Sequence, residues 1–351
     1  MNSPTPPPTG RHGLLMLAII LMLGLTGCDT TREIRLSGKT MGTVYHITVL
    51  APFFSSAGQL EKKINQRLEK INQRLSIYDQ DSEISRFNAL DQPGSTFRPS
   101  ADFAAMIQLG QKLSALTNGA WDGTVRPLVR LWGFEDHSPP SEKPDQAAID
   151  KALQCVGFDQ IRVLPSGEIV KQKPCLVLDL SSIAKGYGVD QLVALLRDNG
   201  LDNFIVEIGG EVFAAGTKKD GRQWRVGINL PDPAAPVDLV RRARPLSDQA
   251  IATSGDYRNF FTINDTTYSH VLDPQTGYPV TTRIVSASVT AATCALADGL
   301  ATALMVMGVP DGLDLINSLT GTECLITVRQ PDGSYRDYYS NQFKTEGDPH
   351  E

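Results

Sequence analysis

Three groups of residues carry side chains that could do chemistry together. Asp298 and Thr302 stand four apart in ALADGLATALMVMG, a stretch predicted to be helical, so both oxygens emerge on one face and can share a hard cation. Magnesium typically takes only one or two protein carboxylates and fills its remaining positions with phosphate oxygens and water. The segment DLSSIAKGYGVDQL, Asp179 to Leu192, places a carboxylate at a strand end and Lys185-Gly186 at the mouth of a helix. Exposed N–H groups there, with one ammonium, suit a phosphate. His270 lies in YSHVLDPQTGYP, where a strand-like approach runs into the Asp273–Gly277 turn, and an unperturbed pKa of about 6.5 makes it a candidate proton acceptor. His12, His46, His137 and His350 fall in a leader, a strand, a loop and a tail. Each group has a purely structural counterpart: an Asp bonded to its helical neighbour, a capped strand-to-helix connection, a structural His. Their joint occurrence favours metal-assisted chemistry at a phosphate.

The elements that would position these residues are legible from periodicity. KTMGTVYHITVL, Lys39 to Leu50, reads as a strand entered through a glycine-containing turn. Leu60, Ile64, Leu68, Ile71 and Leu75 line one face of an amphipathic helix. A second helix starts at the cap Ser100, turns Phe103, Ile107, Leu113 and Leu116 inward and stops at Gly119. Glu135 to Pro144 reads as a solvated loop. Ile161 to Leu164 and Ile169 to Lys171 flank Pro165-Ser166-Gly167 as a hairpin, Leu176 to Leu180 reads as a buried strand, and a helix is expected from about Tyr187 to Asn199. Strand signals follow at Phe204–Ile208, Glu211–Ala215, Trp224–Ile228, Phe260–Ile263 and Ile284–Thr290, then a helix from Ala292 to Met307. Strands and helices arrive without steady βαβ alternation, which predicts an α+β fold with a largely antiparallel sheet and packed helices.

The chain has 351 residues, 41% hydrophobic and 21% charged, enough to bury a full core. Lys plus Arg total 33 against Asp plus Glu 39, a net charge of −6, so there is no basic surplus for a nucleic-acid partner. The uncharged run Leu14 to Leu25 follows Arg11/His12 and is short for a membrane span, which needs about 20 apolar residues. It ends in Leu25-Thr26-Gly27-Cys28, similar to the bacterial lipobox. Residues 1–27 are thus expected to be a lipoprotein signal peptide, Cys28 the lipidated N-terminus, and 28–351 a single domain. Asp29 resembles the signal retaining such lipoproteins in the inner membrane, which predicts a lipid-anchored protein on the periplasmic face of that membrane. Cys155, Cys175, Cys294 and Cys324 allow three complete pairings, and buried free thiols are an equal alternative.

There is no GxxxxGK[ST], GxGxxG or HExxH. Instead KTMGT, Tyr78 in SIYD, NGAWD (Asn118 to Asp122), RPLVRLWGF, DLSSIAKGYGVD, EIGGE, ATSGDYRN, SHVLDPQTGYP and ADGLATALMVMG occur in this order. Together they resemble the ApbE family of FAD:protein FMN transferases over nearly the whole mature chain.

The resemblance implies a T-fold-like α+β architecture, FAD as substrate and a required magnesium ion. The FMN half of FAD would be esterified through its phosphate to a Thr or Ser hydroxyl of an acceptor flavoprotein, with release of AMP. Acceptors would be flavin-bearing subunits of membrane respiratory complexes of the Na⁺-translocating NADH:quinone reductase or Rnf type. Met41 and Tyr78 would pack around FAD, and Asn118, Gly119, Ala120, Trp121 and Asp122 would line its nucleotide end. Asp179 and Lys185 match family FAD contacts, and His270 the family histidine near the transferred phosphoryl group. The carbonyl of Ala184, the Asp298 carboxylate and Thr302 would ligate the metal. Some members have an acidic residue where this chain has Ala301, which offers no side-chain oxygen. The rivals are an FAD pyrophosphatase giving FMN and AMP, and a non-enzymatic FAD-binding lipoprotein.

Overall fold

A computed structural model describes residues 31–135, 140, 142–229, 240–255, 260–263 and 266–343. The leader and Cys28 lie outside the described residues. The framework is one sheet of eight strands: β1 (Thr31–Thr40), β2 (Thr43–Pro52), β3 (Phe204–Ile208), β4 (Glu211–Ala215), β5 (Gln249–Gly255), β6 (Ile284–Ala291), β7 (Glu323–Arg329) and β8 (Tyr335–Tyr339). They lie side by side in chain order, and every neighbouring pair is antiparallel.

Four longer helices cover one face: α1 (Ala57–Leu75), α2 (Ala101–Leu116), α3 (Ser181–Asp198) and α4 (Cys294–Met307). In α1 the five residues expected to face inward are the buried ones, and the Ser56 hydroxyl caps the helix by accepting from the Gln59 N–H. Helix α2 is capped by Ser100 and ends at Leu116, because Asn118 and Gly119 follow with φ of 56° and 83°. Val189, Leu192, Val193 and Leu196 of α3 pack with Ile64 and Leu68 of α1 against Phe204 and Val206 of β3. The ribbon Trp224–Asn229 paired with Val240–Leu246 covers part of the opposite face, Trp224, Ile228 and Leu246 clustering with Val212, Ala214, Ile251 and Leu325. The α+β class with an antiparallel sheet is therefore observed.

The strand expected in Lys39 to Leu50 is observed as β2, entered through the two-residue turn Met41 (φ 49°) and Gly42 (φ 72°) that joins it to β1; both φ are positive, as tight hairpins require. Two expectations need correction. Leu176 to Leu180 forms no ladder. Its alternate residues are buried, but Asn88 holds Leu178 at both backbone groups and the Gly123 carbonyl accepts from the Asp179 N–H. Burial alternates as in a strand, while the backbone partners are a side chain and a loop. Helix α3 begins at Ser181 rather than Tyr187, because the Asp179 carboxylate accepts the Ser181 N–H at 2.9 Å and starts it two turns early.

Cys155 and Cys175 are bridged, while Cys294 and Cys324 are buried free thiols. Among the described residues no helix is long and apolar enough to cross a membrane.

Candidate active site

Helices α3 and α4 meet at their N-terminal ends, and this contact builds the site. A Cβ on Gly186 would stand 2.6 Å from the Cys294 carbonyl oxygen, so only glycine lets the backbones approach this closely. Asp190 of α3 then accepts the N–H groups of Cys294 (2.7 Å) and Ala295 (2.9 Å), capping α4 from a neighbouring helix. Burial pushes its pKa up to about 6 against the pull of these two donors.

Beside the contact opens a cleft of about 730 Å³. Asp298 and Thr302 of α4 face it, one turn apart as expected. Asp298 is buried and its Oδ2 accepts the Gly186 N–H at 3.2 Å. The Thr302 hydroxyl lies 3.2 Å from the Asp298 carbonyl oxygen and 3.1 Å from the Ser254 hydroxyl at the end of β5. Lys185 of α3 reaches across to Glu211, the first residue of β4, its Nζ donating to Oε1 at 2.6 Å.

Burial drives the Asp298 carboxyl well above its usual range, and the negative Glu211 adds to this, while Lys185 and the Gly186 N–H oppose it. Glu211 is likewise raised by burial, with Lys185 opposing. Burial alone would lower Lys185, but Glu211 and then Asp298 outweigh it and raise its pKa. Two buried carboxylates thus share one ammonium, and Glu211 Oε2 has no hydrogen-bond partner. The site has room for more positive charge than the chain supplies.

The opposite wall comes from two loops. Ala120, Trp121 and Asp122 follow α2, and Trp121 is buried with its indole N–H donating to the Ser182 hydroxyl at 3.1 Å. Both Asp122 oxygens are engaged inside the protein, one by the Thr124 backbone and hydroxyl, the other by the Phe158 N–H at 2.9 Å, so Asp122 shapes the loop. His270 lines the cleft with its ring edge-on to Phe134, centroids 6.5 Å apart. The turn after it is fixed by Asp273, which accepts from Gln275 and Thr276, and by the Trp132 indole N–H donating to the Gly277 carbonyl at 2.9 Å. Gln275 in turn donates to the Asn118 carbonyl, tying the two loops together.

The structure therefore brings Ala120, Trp121, Asp122, Asp179, Lys185, His270, Asp298 and Thr302 to one cleft. Its walls do not include Met41, Tyr78, Asn118, Gly119 or Ala184. Met41 packs at the β1–β2 turn over Gly188 of α3. Tyr78 is 88% exposed. Asn118 and Gly119 form the positive-φ turn under Gln275, and Ala184 packs half-buried beside Lys185. Sequence reasoning named no role for Glu211, Ser254 or Arg126, which also line the cleft. Glu211 had a signal: a charged residue opening a strand that is otherwise apolar, after the Gly209-Gly210 turn.

Among the described residues no three His, Cys, Asp or Glu side chains gather as a metal cage. The donors that face the cleft, the Asp298 carboxylate and the Thr302 hydroxyl, fit a hard cation that draws its other ligands from a phosphate and water, and the unpartnered Glu211 oxygen marks the same deficit of positive charge.

The ApbE family model matches residues 41–326. The FAD:protein FMN transferase of Vibrio cholerae is 38% identical over 338 residues, covering 95% of this chain and 98% of that protein. That of Haemophilus influenzae is 37% identical over 306 residues, covering 86% and 88%. Among solved structures, the flavin transferase ApbE from Vibrio cholerae superposes with a TM-score of 0.78 at 37% identity over 89% of this chain and 98% of that one. The apo flavinyl transferase ApbE of Pseudomonas stutzeri gives 0.80 at 32% identity over 90% and 97%. The chain that builds this cleft belongs to the ApbE family.

Proposed function

We propose that the chain is an FAD:protein FMN transferase that moves the FMN moiety of FAD onto a Thr or Ser hydroxyl of an acceptor flavoprotein and releases AMP. The observation that carries this reading is the meeting of Lys185–Glu211 with Asp298–Thr302 in one cleft, with His270 among its walls. Its volume of about 730 Å³ falls within the range of small-molecule sites.

Asp298, Thr302 and the Ala184 carbonyl would hold a magnesium ion. When bound, the ion supplies the positive charge that neutralises a pyrophosphate and orients it for in-line displacement. Lys185, anchored by Glu211, presents its ammonium to the same phosphates. Trp121, pinned by Ser182, gives the dinucleotide a rigid apolar wall. His270 accepts the proton of the acceptor hydroxyl as that oxygen bonds to the FMN phosphorus. The bond from this phosphorus to the bridging oxygen breaks, and its electron pair leaves on AMP. FAD and the acceptor alcohol thus become a phosphoester and AMP, with one proton taken up by His270.

We further propose that Cys28 carries the lipid and that the protein works on the periplasmic face of the inner membrane. There its acceptors would be the flavoprotein subunits of respiratory complexes of the Na⁺-translocating NADH:quinone reductase or Rnf type. The motif Leu25-Thr26-Gly27-Cys28 and the apolar run before it support this reading.

The test is to incubate protein, FAD, magnesium and a candidate acceptor domain, then weigh the acceptor and assay AMP. Mass gain equal to FMN less one water, the difference between FAD and AMP, with stoichiometric AMP supports transfer. AMP without mass gain identifies a hydrolase, and neither product identifies a storage protein.

A further inference from the structure

Two large apolar side chains stand side by side in water at one end of the β1–β2 hairpin: Phe53 is 62% and Phe54 96% exposed. Their rings meet edge to face with centroids 5.6 Å apart. The tip is held in shape. Arg32 lies 6.0 Å from the centre of the Phe53 ring and donates to the Ser55 carbonyl at 2.6 Å, and the Ser55 N–H donates to the Pro52 carbonyl at 2.9 Å.

Pro52 pairs with Thr31, so the phenylalanines flank the point where the preceding chain joins the fold. Only Asp29 and Thr30 separate Thr31 from Cys28, a reach of about 10 Å at full extension. Basic groups share this end: Arg32, and Lys219, whose Nζ lies 3.5 Å from the Thr31 carbonyl oxygen. Among the described residues at this end, Glu33 pairs with Arg35 and Asp220 with Arg222.

The other end of the hairpin lies behind Lys185, one of the residues that line the cleft. Met41, at the turn, packs on Gly188, and Thr43 lies against Gly209, where an added Cβ would stand 3.3 Å from Lys185 Cδ. Helix α1 makes the same journey, starting beside Phe54 and ending where Asn72 donates to the Thr40 hydroxyl at 3.3 Å. Ten-residue strands at about 3.3 Å per residue span about 33 Å.

We propose that the Phe53–Phe54 tip is a membrane-docking surface, seated among the headgroups and upper acyl chains of the bilayer, so that the β1–β2 hairpin becomes a spacer holding the Lys185 end of the cleft away from the lipid. The proposal rests on the lipid-anchor reading of Cys28. A bilayer is the occupant the dimensions favour. Two Phe side chains offer at most about 500 Å², whereas a stable dimer buries about 800 Å² per partner. Aromatic rings beside cations also match the boundary between acyl chains and anionic headgroups. The acceptor hydroxyl must then stand about 30 Å above the bilayer, the length of the hairpin.

The experiment uses the full lipidated protein in vesicles of phosphatidylethanolamine and phosphatidylglycerol. Nitroxide labels are placed at Phe54→Cys and, near the far end of α1, at Gln73→Cys; the native free thiols Cys294 and Cys324 are buried. Oxygen, which concentrates in lipid, should relax the label at position 54 severalfold more than a water-soluble nickel chelate does, with the reverse at position 73. Equal access of the chelate to both labels overturns the proposal. So does a label at position 54 that is shielded from both reagents in vesicle-free solution alongside a doubled mass in light scattering, which would make the tip a self-association surface. Mass spectrometry of the extracted protein tests the anchor separately. If Cys28 carries no lipid, the same labels on a chain tethered by an N-terminal histidine tag to nickel-chelating lipid still decide whether the tip docks.

Discussion

The Gly186 N–H donates to Asp298 Oδ2, and four residues further along the same helix Asp190 receives the first N–H groups of the helix that carries Asp298. Helices α3 and α4 therefore hold each other by reciprocal backbone-to-carboxylate bonds, and the residues facing the cleft from both are fixed by one contact.

Gly186→Ala tests that contact. The new Cβ would meet the Cys294 carbonyl oxygen at 2.6 Å and the Ala295 Cα at 2.7 Å, backbone atoms that cannot rotate aside. Overpacking of this kind costs about 1–3 kcal/mol, read as a lower urea midpoint. A shift of about 1 Å in the site costs about 100-fold in rate, so transfer should fall further than stability alone would require.

Asp298→Ala should abolish FMN transfer even with magnesium in excess. It should also remove metal-dependent stabilisation: magnesium raises the melting temperature of the parent protein and leaves that of the variant unchanged. Because Asp298→Ala also deletes the buried acceptor of the Gly186 N–H, the variant should melt slightly below the metal-free parent, by an amount that magnesium does not restore.

His270→Asn keeps the size and polarity of the ring's near edge and removes the proton acceptor. FAD binding, followed by flavin fluorescence, should be unchanged. Transfer to the acceptor, followed by mass, should fall about 10²–10⁴-fold. Parental rates in this variant would reassign His270 to a structural role.

Asp190 gives stability a defined pH dependence. The group titrates at its ordinary 3.8 in the unfolded chain and at about 6 in the fold. Between these values the folded state binds more protons than the unfolded one, so stability falls as pH rises, by about 3 kcal/mol in all. Urea unfolding from about pH 4 to pH 7 should show this decline in the parent and a flatter profile in Asp190→Asn.

What was legible in the sequence was what local pattern encodes. Leu60 to Leu75 identified α1 by spacing alone, and Asp298 with Thr302 shared a face because one helical turn separates them. Lys185 and His270 were found by their neighbours in short motifs. The missed parts depend on contacts distant in sequence. Glu211 becomes a site residue only because β4 lies beside the mouth of α3. Strand β5 carries Ser254 in ATSG, whose small residues give little strand signal until β4 and β6 pair with both its edges. The segment Leu176 to Leu180 shows the converse: its alternation was real, but Asn88, ninety residues away, took the backbone bonds a neighbouring strand would have made.

The chain-order arrangement of the sheet has a consequence for biosynthesis. Strands β1 and β2 are the first of the sheet to emerge where the chain folds and can zip at once, yet β2 has no second neighbour until Phe204 arrives, and everything from Phe53 to Asn203 must follow before then. During that interval the nascent hairpin offers a bare row of amide donors and acceptors to any passing strand. A holding chaperone would be most needed over this span, and truncated chains ending before β3 should be the most prone to aggregate.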